Sequence, residues 1–175
     1  MKQKFAIAWR AGISCGLVLA VAEVAFGVAL FFLRPAMNEF ISGGYIDFST
    51  LFPLGISWAA FLFLLLAVYF ACGMITAKWL APTPVPSMEI AVVGAVAGAI
   101  AEVVRSLVSV VINFALSLAS PLVSVSPSDA LFVALENAGL RLVCGLPAFI
   151  LLAAVVAGVS AYLFSIIFFR ETTTQ

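Results

Sequence analysis

The chain has no histidine and little charge of either sign: Asp, Glu, Lys and Arg make up 9% of its 175 residues, against about 25% in ordinary soluble domains. Without histidine the commonest general base, the commonest metal ligand and the usual sensor of physiological pH are missing. No HExxH, GxSxG or paired-aspartate pattern takes their place, so the chain reads as a non-enzyme with no catalytic, cofactor-binding or metal-ligating residues. Eight basic residues face eight acidic ones, giving a formal net charge of zero without a basic run, and this argues against a nucleic-acid partner. Cys15, Cys72 and Cys144 stand singly in apolar segments, with no CxxC pair; they read as small buried hydrophobes rather than a disulfide framework.

What the chain has in abundance is hydrophobic surface. Apolar residues make up 65% of it and the mean hydropathy is +1.27. The apolar runs are long enough to cross about 30 Å of hydrocarbon, for which about 20 helical residues suffice. The expected fold is an all-α integral membrane protein, a single polytopic unit over 1–175 with four transmembrane helices near 6–33, 53–80, 88–118 and 147–169. Lys2, Lys4 and Arg10 lead into a run that continues to Leu33, too long for the core of a cleaved signal peptide, so it is expected to stay as the first crossing. Connectors are expected over 34–52, around Pro82, Pro84 and Pro86, and over 119–129. A short helix over 130–144, with Glu136, Asn137 and Arg141 on one side, should lie in the interface or dip partway in. Gly145 and Pro147 separate it from the last crossing.

The run from Met88 to Leu118 organises the rest. At 100° per residue, Gly94, Gly98, Glu102, Arg105, Ser109 and Asn113 share one sector of that helix, and Val, Ile and Leu fill the remainder. Ionisable groups at such a depth cost several kcal/mol unless paired or wetted, so this face should point into the protein. On the first helix, Gly12, Gly16, Ala20, Glu23 and Gly27 recur at three or four residues and make a similar face, and both helices carry GxxxG. The last crossing has its own line of small residues, Ala154, Gly158, Ala161 and Ser165. Tyr69 and Ser57 are the few polar side chains of the second, and Tyr69 reads as a packing residue.

Lys2, Lys4, Arg10, Lys78 and Arg170 fall on one side of a four-crossing topology, with Trp9 and Trp79 at the corresponding belt, which predicts cytoplasmic N and C termini. The first and third helices then run parallel. Counted from Trp9 and from Met88, Glu23 and Glu102 are predicted to share a depth, with Arg105 one turn further on and able to bridge them if the two glycine faces meet. The strings Ala20-Val-Ala-Glu-Val24 and Ala99-Ile-Ala-Glu-Val103 coincide at an offset of 79 residues, as a duplicated two-helix unit would. Over those few residues the string also resembles the glutamate-bearing first helix of small multidrug transporters. The rest of the chain differs from them in length and loops.

Glu23, Glu102, Arg105, Ser109 and Asn113 are therefore the candidate buried polar cluster, with Glu136, Asn137 and Arg141 secondary to it. The first expectation is a packing role, in a non-enzymatic subunit or accessory of a membrane assembly. Its surroundings would be the lipid bilayer and either further copies of the chain or another membrane protein. The alternative is a small proton- or cation-coupled transporter or channel that uses Glu23 and Glu102.

Overall fold

The computed structural model describes residues 2–43, 48–81, 85–119, 135–136, 139, 143 and 145–169. Four long helices account for nearly all of them: α1 Lys2–Gly43, α2 Phe48–Leu80, α3 Ser87–Ala119 and α4 Leu146–Phe169. No strand occurs among the described residues. Each helix holds a stretch long and apolar enough to cross a bilayer, Gln3–Ala29, Gly55–Leu80, Ser87–Ile112 and Leu146–Ile167. The fold is that of a multi-pass helical membrane protein.

The first connector departs from the sequence expectation. α1 continues ten residues past Leu33, through Pro35, and α2 begins at Phe48, so most of the stretch expected to be a linker is helical. Proline removes one backbone donor and crowds the preceding turn, which disturbs a helix locally without ending it when helix formers follow. Ala36, Met37 and Glu39 are such residues. Of the expected helix over 130–144, only residues 135–136, 139 and 143 are described; its placement, and that of Cys144, lies outside the described residues.

The four helices alternate in direction. Lys4 pairs with Glu89, Gly12 faces Ala97 and Gly16 faces Ala101, each pair 85 residues apart, which makes α1 and α3 parallel. Along α4 the order reverses: Gly94 lies against Ala161 and Ala157, Gly98 against Ala157 and Ala153. Phe26 meets both Trp58 and Phe61. Tyr69 reaches Glu102, which places α2 antiparallel to α1 and α3. Each of α1, α2 and α4 packs on α3, and α2 also packs on α1 and α4.

Small residues allow this closeness. In a bilayer the lipid tails are as apolar as leucine, so association depends on backbone approach and interhelical hydrogen bonds rather than on escape from water. Ala153, Ala157 and Ala161 recur every four residues on α4 and are fully buried with Gly158 and Ser165. Ala153 and Ala157, rather than Ala154, complete that seam. It receives Gly94 and Gly98 of α3: a Cβ on Gly98 would stand 2.4 Å from the carbonyl oxygen of Ala153. The glycines of α1 and α3 thus do not meet each other. Gly12 and Gly16 pack on Ile100 and Val104 of α3, while the α3 glycines turn to α4. On the α2 side, a Cβ on Gly73 would fall 1.9 Å from Ser160 Oγ. Ser160 also donates to the carbonyl of Phe70 at 2.9 Å, an interhelical hydrogen bond between α4 and α2.

Candidate functional site

Near the middle of α3, Glu102 is 0% exposed, yet both its oxygens are occupied. Arg105, one turn further on, donates Nε to Oε2 at 2.8 Å and Nη2 to Oε1 at 2.6 Å, in the two-pronged geometry that suits a guanidinium to a carboxylate. Ser106, at i+4, donates its hydroxyl to Oε1 at 2.9 Å. Tyr69 donates its phenol proton to Oε2 from across the α2 interface.

Arg105 also reaches the other way. Its Nη1 donates to Glu23 Oε2 on α1 at 2.7 Å, and Ser109 donates to Glu23 Oε1 at 2.8 Å. The guanidinium lies 5.5 Å from the ring centroid of Phe149, on α4, so a single side chain joins groups of α1, α3 and α4. Such sharing is costly to interrupt: a charge-assisted hydrogen bond contributes about 1.5–3 kcal/mol, and a stranded buried charge loses more than that. Among the described residues, no buried side-chain nitrogen or oxygen lacks a partner.

The two carboxylates do not stand level. With α1 and α3 in a register of 85 and the glutamates 79 apart in sequence, Glu23 lies six residues further along than Glu102, about 9 Å at 1.5 Å per residue. Arg105 spans this step. The depth expectation failed because it counted from residues taken to lie at the interface, whereas the register is set by how Gly12 and Gly16 seat on α3.

A cavity of about 270 Å³ opens beside the cluster, in the half of the bundle where α3 ends and α4 begins. Glu23, Arg105, Ser106 and Ser109 form its polar side. Phe26, Trp58, Phe61 and Phe149 are prominent on the apolar side. Glu102 does not line it.

Of the residues picked from the sequence, Glu23, Glu102, Arg105 and Ser109 are brought together. Asn113 is on α3 four residues beyond Ser109, with its side chain outside the described residues. Glu136 is exposed, and Asn137 and Arg141 lie outside the described residues. Tyr69 and Ser106 escaped sequence reasoning. Ser106 sits just outside the polar sector of α3 but one turn from Glu102, and that spacing was the available signal. For Tyr69 the only cue was a lone hydroxyl midway along an otherwise apolar crossing. Among the described residues no group of three or more His, Cys, Asp or Glu is placed to hold a metal ion.

Fold and cluster together define a class: a multi-pass helical membrane protein whose four long helices among the described residues surround a buried ionic network with a cavity on one flank. No family model, curated protein or solved structure matches the chain.

Proposed function

We propose that the chain is a non-enzymatic subunit or accessory of a membrane assembly, in which the network of Glu23, Arg105, Glu102 and Tyr69 fixes the packing of the helices. The observation that supports this reading is the closure of the network. Glu102 receives four hydrogen bonds with no exposed surface, and Arg105 is shared between two carboxylates. A buried carboxylate whose two oxygens are taken up in this way holds the helices that supply its donors in one arrangement. Outward-facing side chains such as Phe63, Val111, Leu151 and Ile167 suit the bilayer or a neighbouring membrane protein. Purification in mild detergent tests the assembly role: a second protein, or further copies of this chain, should co-elute in fixed ratio, and a chain that runs alone would refute it.

The cavity favours a second reading, in which a proton or cation exchanges at the cluster. Glu23, which lines the cavity, would carry that exchange, whereas Glu102 is enclosed. Proteoliposomes distinguish the two readings. Loss of proton- or cation-driven flux in Glu23→Gln, with stability retained, would support transport, and absence of flux in the unaltered protein would remove it.

For orientation, the bundle end that carries Lys4, Arg10 and Lys78 is proposed to face the cytoplasm, because positive residues are retained on that side. Trp9 and Trp79 are exposed near this end, as side chains of an aromatic belt would be. The segment over 130–144 is proposed to lie at the opposite interface or to dip partway in from it.

A further inference from the structure

We propose that the cavity beside the cluster is a binding site for a small neutral amphiphile, a molecule with an apolar or aromatic body and one polar end of hydroxyl or amide type. The cavity shares Glu23 and Arg105 with the network, while Glu102 and its bond from Tyr69 lie outside the cavity wall, and the proposal does not rest on the assembly role.

Size sets the first bound. At about 270 Å³ the cavity is near the lower end of the usual range for ligand pockets, about 300–1,000 Å³, which suits a small molecule. Water filling the same space would find partners along one side only, since the rest of the wall is mainly aromatic and aliphatic.

The apolar wall is already assembled. Phe26 stacks on Phe61 with ring centroids 4.4 Å apart and meets Trp58 edge-on at 5.2 Å. Phe149 is positioned against Arg105. Rings held by one another offer flat contact area without the ordering cost of flexible side chains.

The polar side specifies the other end of the ligand. A guanidinium has five N–H donors, and Arg105 uses three, one each from Nε, Nη1 and Nη2. At most two remain, on a side chain only 9% exposed that lines the cavity. These donors call for an acceptor. The same wall presents the carboxylate of Glu23 and the hydroxyls of Ser106 and Ser109. An anion that accepts from Arg105 would be brought against Glu23, and a cation drawn to Glu23 would be brought against Arg105. Walls of mixed sign penalise either charge in a site of low dielectric. A hydroxyl or amide both accepts and donates, so it can accept from Arg105 and lie beside Glu23 without adding charge.

Three probes with one body test this: 2-phenylethanol, 2-phenylethylammonium and phenylacetate. Binding is read from the fluorescence of Trp58 in a Trp9→Phe, Trp79→Phe background, with the chain in phosphatidylcholine nanodiscs. The alcohol should give a saturable change with an affinity about tenfold or more above either charged probe, a gap of about 1.4 kcal/mol or more. Val110→Phe, which fills the cavity from α3, should abolish the change while the thermal unfolding temperature is kept; if that variant unfolds, Ile112→Phe serves the same purpose. The proposal is overturned if no probe saturates, if a charged probe binds as tightly as the alcohol, or if a folded cavity-filled variant still binds the alcohol.

Discussion

Arg105→Met removes the cation that is paired with both Glu102 and Glu23. Three hydrogen bonds disappear, two to Glu102 and one to Glu23, together with the stacking over Phe149. The bonds are not additive, because they belong to one rigid group. The better guide is the cost of breaking a buried ion pair from one side, about 3–5 kcal/mol, most of it from the charge left behind. For a chain of this size each kcal/mol shifts the unfolding temperature by roughly 2–4 °C, so the loss should be on the order of 10 °C. The structure also predicts how stability returns. Arg105→Met with Glu102→Gln neutralises the enclosed carboxylate but still deprives Glu23 of its bond from Arg105, and recovery should be partial. Adding Glu23→Gln should bring further recovery, since Glu23 is paired to the same guanidinium. Thermal unfolding in detergent, followed by circular dichroism across the full set of single, double and triple variants, measures each coupling; neighbours of this kind show coupling energies of about 0.5–3 kcal/mol. A loss below about 1 kcal/mol for Arg105→Met, or strict additivity across the set, would refute the reasoning.

Tyr69→Phe deletes one donor to a carboxylate that keeps three others, and should cost about 1–3 kcal/mol in the same unfolding assay. A neutral result would place the phenol outside the network. Gly73→Ala should destabilise the α2–α4 contact, because its Cβ would fall 2.1 Å from the carbonyl oxygen of Ala157, whereas Gly55→Ala, with nothing within 4 Å, should be tolerated. Equal stabilities for these two variants would contradict the close packing. Single cysteines at Pro84 and Gly44, on a background without the native cysteines, should react with an impermeant reagent from opposite sides, and labelling from one side would exclude a cytoplasmic Lys4 end in a four-crossing topology. Exchanging Lys4 and Glu89 should change stability by less than about 1 kcal/mol, because the two side chains, 37% and 52% exposed, pair at a bundle end.

Hydrophobicity and helical periodicity made much of this protein legible in advance. Long apolar runs require helices, because no other open structure satisfies its backbone in lipid, and the 3.6-residue repeat put Glu102, Arg105 and Ser109 on one side of one helix. The continuation of α1 through Pro35 was not legible, since proline biases a helix to end without compelling it to. The pairing of faces was not legible either. GxxxG on two helices marks two places of close approach without saying which partner fills each, and the α3 glycines went to the alanine seam of α4. The seating of Gly12 and Gly16 of α1 on α3 set the register of 85, and with it the step between Glu23 and Glu102 that Arg105 spans. Tyr69 entered the network from a separate helix, and the aromatic cavity wall joins residues far apart in the chain. Sequence fixes what each helix presents along its own surface, because that depends on local geometry; which surfaces touch, and at what offset, depends on how side chains of different helices fit together, and only the tertiary structure decides that.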